Sequence, residues 1–232
     1  MKKPSFEMLT GRTEDHLVLV DINDYPFKIH TEIKDDLYKW SRLCQNQGID
    51  FAVASGFRSY ERQLLIWNEK VQGKRALKNA DGQIVHIQGL TEQKILDLIL
   101  LWSHIPGSSR HHWGTDLDVF DATWYKQQKK KLELENYHYL GFGPSAKFHC
   151  YNEELLTNKN IMPFYRPYND SEHKSFMPEL WHYSHQKVAA TFEQTYTLKV
   201  FVRNLELSNE LLLRDLILTK PEYYFKKFVT LC

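Results

Sequence analysis

Sulfur is scarce in this chain of 232 residues, and what there is cannot be paired by pattern. Cys44, Cys150 and Cys232 are odd in number and far apart, with no Cys-x-x-Cys. That excludes a disulfide framework, a thiolate zinc ribbon and a dithiol redox motif, and leaves three expected free thiols. Long apolar runs are missing too. The longest, Leu96–Trp102, is broken by Asp97 and far shorter than the ~20 residues that span a bilayer, so no membrane partner is expected. Between Met1 and Val20 stand Glu7, Arg12, Glu14, Asp15 and His16, where a secretory signal needs an uninterrupted apolar stretch. The expectation is a cytoplasmic protein if residue 1 is the native start, and a periplasmic one if the chain is a trimmed mature form. Charge of one sign is also lacking: 30 basic side chains almost cancel 29 acidic ones. The densest basic run, Lys126–Lys131, is diluted by Gln127 and Gln128 and followed by Glu133 and Glu135, which reads as a solvated surface and not as a phosphate tracker. No nucleic-acid partner is expected. With 10 glycines and 8 prolines there is no linker-like segment, no repeat and no low-complexity tract, so the chain reads as one mixed unit.

What is present alternates between helical and extended periodicity. Thr31–Gln47 carries apolar residues at Ile33, Leu37 and Trp40, with Cys44 next on the same stripe, and stops at Gly48. Ile49–Ala54 reads as a strand that runs into the turn Ser55–Ser59. Ser59 is placed to cap a helix from Tyr60 to about Val71, which puts Arg58 on a loop between strand and helix. Asp81-Gly82 marks a turn inside Lys74–Gly89. Thr91 caps a second helix through Ser103, ended by Pro106-Gly107. After Gly114 the chain alternates, with Leu117 and Val119 on one face and Asp116 and Asp118 on the other, so Asp118 should point away from the core. Ile161–Tyr168, with Pro163 and Pro167, suits an edge strand or a structured loop. Trp181–His185 reads as a strand carrying His182, with a helix from about Gln186. A further helix is expected from Ser208, its cap, to about Thr219, before an aromatic end at Tyr223–Phe228.

The chemistry concentrates in two places. Ser109-Arg110-His111-His112-Trp113-Gly114-Thr115-Asp116-Leu117-Asp118 and Glu179-Leu180-Trp181-His182 together supply imidazoles, carboxylates and a spare glutamate. A hydrolytic zinc centre takes three nitrogen and oxygen ligands, leaves one position open, and needs a nearby carboxylate as proton acceptor. His111, Asp118 and His182 can supply the ligands and Glu179 the base. Spacing leaves two choices open. Adjacent His111 and His112 cannot both aim at one metal from a regular strand, and Asp116 shares a face with Asp118 and could instead orient a histidine from behind. His111 and Asp118 reach one ion only if the chain turns between them, which Gly114 permits. Glu179 and His182 share a helical face or converge from a short strand and the loop before it. Arg58, with its planar fork, is a candidate reader of a substrate carboxylate or stabiliser of an oxyanion, and Ser109 could add a hydroxyl to that anchor. Trp113 and Trp181 are candidate cleft walls, Trp181 equally a core residue. His185 reads as structural. The chain has no His-Glu-x-x-His helix, no Gly-x-Ser-x-Gly elbow and no Gly-rich phosphate loop.

Taken together these segments resemble the zinc D-alanyl-D-alanine carboxypeptidases, the family of the vancomycin-resistance carboxypeptidases, with relatives among L,D-carboxypeptidases and phage endolysins. The family's Ser-Gly-Tyr-Arg-Ser appears as Ser55–Ser59. Its Ser-x-His-x-x-Gly with an aspartate seven after the histidine appears as Ser109–Asp118, and its Glu-x-Trp-His as Glu179–His182. The resemblance covers about residues 49–186 and implies one metallopeptidase domain over 1–232, with the N- and C-terminal extensions packed on it. It implies an α+β fold, an antiparallel sheet flanked by helices, with one zinc ion in an open groove. It also implies His111, Asp118 and His182 as ligands, Glu179 as base, and Arg58 and Ser109 as substrate anchors. Phe57 replaces the usual tyrosine. Asp116 stands where a small residue is common, and its charge is expected to retune the zinc site or to meet a cationic group on the substrate.

The expected activity is removal of a C-terminal D-alanine from a peptidoglycan-derived peptide or muropeptide. L,D cleavage of recycled tetrapeptides is favoured over D,D cleavage of pentapeptides. An endolysin-type endopeptidase and a zinc-stabilised binding module without catalysis are the rival readings. Retention of Glu179 argues against the module, since a structural zinc site needs no base.

Overall fold

The structure, a computed structural model, describes residues 3–23, 25–158, 161–168 and 177–229. The N-terminal part holds α1 (Phe6–Thr10), the hairpin β1 (Leu17–Ile22) and β2 (Tyr25–His30), α2 (Lys34–Asn46), β3 (Phe51–Ser55) and α3 (Tyr60–Val71). Then come β4 (Leu77–Lys78), β5 (Ile84–Val85), α4 (Glu92–Leu100), β6 (Asp116–Asp121), α5 (Thr123–Gln128) and α6 (Ala146–Leu156). β7 (Phe164–Tyr165), β8 (His182–His185), α7 (Gln186–Thr195), α8 (Leu198–Glu206), α9 (Arg214–Leu218) and α10 (Pro221–Phe228) complete the order.

Four strands pair antiparallel in the order β3-β6-β8-β7. This central sheet with helices around it is the expected α+β architecture. β7 lies at the edge, as the two prolines of its segment require, because proline cannot donate to a central ladder. The inner side is aromatic: Trp40 from α2 packs against Phe51, Phe148, Phe164 and Tyr183 at centroid distances of 4.8, 6.2, 5.0 and 5.0 Å. Cys44 is buried among these helices and strands as a free thiol, as its place on the helical stripe predicts. Among the described residues no helix is long and apolar enough to cross a membrane.

Several boundaries follow the cap chemistry. Ser59 accepts from Arg62 N to start α3, and Thr91 accepts from Lys94 N to start α4. The first turn of the helix expected from Thr31 is instead a short 3-10 turn, whose N-terminus is capped by the His30 ring. α4 ends at Leu100, short of Ser103. The tail departs furthest. Ser208 caps nothing; its hydroxyl donates back to Asn204 O at 2.5 Å and closes α8, a helix that periodicity alone did not separate from its neighbours. Leu213, at φ 62°, breaks the continuous helix expected over 208–219, so only α9 forms there. Asp118 does not face solvent: all six residues of β6 are buried, because loops and helices cover the outer face as well. An alternating strand read from sequence tells which residues share a face and not whether the second face is covered.

Candidate metal centre and active site

Sheet register does the first part of the assembly. Asp118 on β6 pairs directly with His182 on β8 and with Ser55 on β3, so the carboxylate and the imidazole stand side by side across two strands. His111 arrives from a 3-10 turn, Arg110–Trp113, that ends in Gly114 at φ 69°. That left-handed turn reverses the chain and carries His111 back over the end of β6. A Cβ at residue 114 would lie 2.7 Å from the His30 amide, which itself donates to Gly114 O at 2.8 Å, so β2 is pressed against the turn and only glycine fits.

One donor atom from each of His111, Asp118 and His182 falls within 4.8 Å of the others, and all three residues are buried. His111 Nε2 is 3.3 Å from Asp118 Oδ2, and His182 Nδ1 is 3.1 Å from Asp118 Oδ1. Two donors at ~2.0–2.2 Å from a shared tetrahedral ion lie roughly 3.4 Å apart, close to the distance of each imidazole from its Asp118 oxygen. The tautomers fit as well. His111 Nδ1 donates to the Gly56 carbonyl at 2.8 Å, which leaves the Nε2 lone pair facing the centre. His182 Nε2 donates to Asp116 Oδ1 at 2.9 Å, which leaves Nδ1 inward.

Electrostatics point to the same place. Burial alone would raise the Asp118 carboxyl, but His111 and His182 hold it well below the usual carboxylate range. Burial would lower His182, yet Asp116 and Asp118 on its two nitrogens push it up to about 9. An imidazole that basic between two carboxylates marks a position that favours a cation. Glu179 sits in the loop before β8, its Oε2 3.6 Å from His182 Nδ1. Of the two arrangements its spacing allowed, it is the loop one. Burial pushes its carboxyl up to about 7, against the opposing pull of His182.

The structure gives His112 and Asp116 other partners. His112 is fully buried; its Nδ1 donates to the Arg58 carbonyl at 2.6 Å and its Nε2 accepts from Gly107 N at 3.0 Å, so both nitrogens hold backbone. Asp116 is fully buried and saturated. It accepts from Arg110 Nε at 2.7 Å, Thr115 Oγ1 at 2.7 Å, Ser184 Oγ at 3.0 Å and His182 Nε2. Its expected role of meeting a cationic group on the substrate is therefore corrected: Arg110 already neutralises it, and it stands behind His182, away from the cleft. Trp113 is corrected too. It is buried, stacked on Phe192 at 5.5 Å, and its indole N–H donates to Leu9 O, so it walls the core and not the cleft.

Arg58 lies at the mouth, its Nη2 3.7 Å from Asp118 Oδ2 and its fork steadied by Gln63 Oε1 at 3.1 Å and Ser55 Oγ at 3.2 Å. Ser109 is buried, and its hydroxyl has no hydrogen-bond partner among the described residues. His185 caps α7 and pairs with Asp36 at 3.0 Å, a structural role. Sequence reasoning missed Arg110, whose fork also reaches Glu193 and Tyr165, and Tyr168, whose ring packs on His182 at 4.8 Å. An arginine beside the first histidine was the one signal for the former; the latter had none.

The termini reach the site as well. Tyr60 N donates to Gly11 O, and Gly11 packs against the His112 ring so closely that a Cβ there would lie 2.4 Å from Nδ1. Asn204 of α8 donates to Pro106 O at 2.8 Å and Tyr196 to Gly107 O at 2.6 Å, which fixes the loop before His111.

Comparison with known proteins agrees with this geometry. The family model for VanY, D-alanyl-D-alanine carboxypeptidase, matches residues 26–188, starting earlier than the motifs because it takes in β2. A protein of Haemophilus influenzae known only as uncharacterised is 32% identical over 98 residues, 42% of this chain and 67% of that protein. A second from the same organism is 28% identical over 126 residues, 54% of this chain and 92% of its own length. The fold resembles that of VanYB in complex with D-alanine-D-alanine, with a TM-score of 0.52, 20% identity, and 81% of this chain and 88% of that one covered. It also resembles a zinc-bound mutant of the vancomycin-resistance D,D-pentapeptidase VanY, with a TM-score of 0.52, 19% identity, and coverage of 80% and 88%. With most of the chain inside the family match, the protein belongs to the VanY family of D-alanyl-D-alanine carboxypeptidases.

Proposed function

We propose that this protein removes a C-terminal D-alanine from peptidoglycan-derived peptides, with His111, Asp118 and His182 as zinc ligands. We further propose that it prefers the L,D bond between meso-diaminopimelate and D-alanine of a tetrapeptide to the D,D bond of a pentapeptide. The observation that carries the preference is a cavity of about 230 Å³ opening directly against Glu179 and Trp181. An L,D substrate places a long polar side chain beside the scissile carbonyl, which needs such a space; a D,D substrate places only a methyl group there.

Zinc on these three ligands supplies Lewis-acid activation of water and of the peptide carbonyl. The chain's own residues do the rest. Glu179 accepts the proton of the attacking water at its carboxylate and returns it to the departing amine, within reach of both because it lies beside His182 at the edge of the cleft. Arg58 presents its guanidinium from the mouth, where it pairs with the terminal carboxylate or the oxyanion of the substrate. Among the described residues the buried Ser109 hydroxyl has no partner, and it joins the same anchor once a substrate carboxylate reaches it. Asp116 and Arg110 keep His182 in its ligating tautomer and touch no substrate.

Mass spectrometry of the zinc-loaded protein with matched tetrapeptide and pentapeptide, with and without a chelator, tests this. The expected result is chelator-sensitive loss of one alanine, faster from the tetrapeptide. Equal or faster turnover of the pentapeptide overturns the L,D preference. Cleavage of neither overturns the carboxypeptidase reading.

A further inference from the structure

The cavity beside Glu179 is charged in an uneven way. Its walls come from the end of α3, from β4 and α4, and from the loop before β8. Leu77 and Leu98 give it an apolar floor, and Trp102 and Trp181 flank it. Lys78 pairs with Glu135, so that cation is balanced within the wall. Lys70 is different: among the described residues its ammonium donates to the neutral hydroxyl of Ser103 at 2.5 Å, and Glu179, the acid whose charge acts on it, is committed to the chemistry. Burial and the neighbouring Arg58 pull the Lys70 amine down to about 8, which still leaves it mostly charged at neutral pH. A half-buried cation with a neutral partner, facing a cavity, is an anion site. The volume suits one side chain; pockets for drug-sized ligands run to ~300–1,000 Å³.

We infer that this cavity receives the substrate side chain next to the scissile bond and that Lys70 reads a carboxylate at the end of that side chain. The enzyme then selects a diamino dicarboxylic residue over lysine at that position, because a lysine side chain brings only a cation toward Lys70. This rests on the L,D reading above, which places that residue on the acyl side of the bond. The other carboxylates of such a peptide, the C-terminal one of the leaving D-alanine among them, do not change with the third residue, and the test separates them from the side-chain one.

Three tetrapeptides are compared that differ only at the third residue: meso-diaminopimelate, its side-chain carboxamide, and L-lysine. Two readouts are taken. The first is kcat/KM for alanine release by the wild type, K70Q and K70R. The second is binding of the same peptides to Glu179→Gln, followed by the fluorescence of Trp102 and Trp181. The expected result is a kcat/KM for the free acid about tenfold or more above the other two peptides. K70Q should compress that ratio toward one and K70R should restore part of it, with the same order in binding. Equal turnover of the three peptides by the wild type overturns the inference and leaves the carboxypeptidase reading intact. A K70Q protein slowed equally on all three overturns it in favour of a carboxylate common to the three peptides. No turnover of any peptide, with the binding order preserved, overturns the proposed activity and supports the carboxylate site.

Discussion

Replacing Asp116 by asparagine separates a residue that shapes the metal from one that touches the substrate. Asparagine is nearly isosteric, and its Oδ1 still accepts from His182 Nε2, now at 2.9 Å from the carboxylate, so the ring keeps its tautomer. What is lost is the negative charge behind the imidazole, which raises the basicity of Nδ1 toward a cation. Loss of such an outer partner costs 10–100-fold in metal affinity, or about 1.4–2.7 kcal/mol. Arg110 remains paired with Glu193 and bonded to Ser184 at 2.6 Å, so its burial does not become unsupported. The assay is competition for zinc with a chromophoric chelator, alongside steady-state kinetics at saturating zinc. The D116N protein should bind zinc 10–100-fold more weakly, and its KM for the tetrapeptide should stay where it was. A raised KM with wild-type zinc affinity would refute the reasoning, since that is what a substrate contact at Asp116 would give.

Four further outcomes are expected. Glu179→Gln should keep zinc and lose turnover by ~10²–10⁴-fold, read by metal analysis and kinetics on one sample. Arg110→Gln strips the cation from between Asp116 and Glu193, and breaking a buried pair of that kind costs about 3–5 kcal/mol, which should lower Tm by roughly 6–20 °C for a chain of this size. Gly114→Ala should cost about 1–3 kcal/mol and weaken zinc binding with it, because the φ of 69° and the 2.7 Å approach of His30 N are both relieved only by moving the turn that carries His111; an unchanged melting curve would contradict this. Stability should fall between pH 6.5 and about 4. Burial lowers His16 and His30 to about 4, so in that window the unfolded chain binds protons the folded one refuses, with up to roughly 3 kcal/mol at stake per histidine. Urea titrations at pH 7 and pH 4.5, with His16→Gln and His30→Gln flattening the difference, check it.

Most of the centre was legible because its parts are encoded locally. The turn at Gly114, the cap at Ser59 and the alternation through Asp118 each follow from a few adjacent residues, and register across β6 and β8 then brings Asp118 and His182 together. The choice between His111 and His112 was not legible from spacing. It depends on where two backbone groups lie, the Arg58 carbonyl and the Gly107 amide, both set by tertiary packing. Asp116 misled for the same reason. A second carboxylate on the face of Asp118 reads as added charge near the metal until Arg110, six residues earlier, is seen to fold onto it at 2.7 Å. Trp113 looked like a cleft wall because it adjoins the ligands in sequence, but a 3-10 turn sends neighbouring side chains in different directions.

The less readable termini bear on the same problem. A metal site built on a short turn is only as fixed as the turn, and this one has few hydrogen bonds of its own: His112 N to Ser109 O and a long one from Gly114 N to His111 O at 3.3 Å. The remaining support comes from outside the motifs. β2 holds Gly56 and Gly114 from one side, α1 closes on His112 through Gly11, and α8 grips Pro106 and Gly107 through Asn204. Each contact is made where a glycine has no side chain to obstruct it, so the glycines at 11, 56, 107 and 114 are docking points for the extensions as well as turns. Segments that carry no recognisable chemistry thereby set the position of His111 relative to Asp118, which a catalytic constellation must hold to within about 0.5 Å.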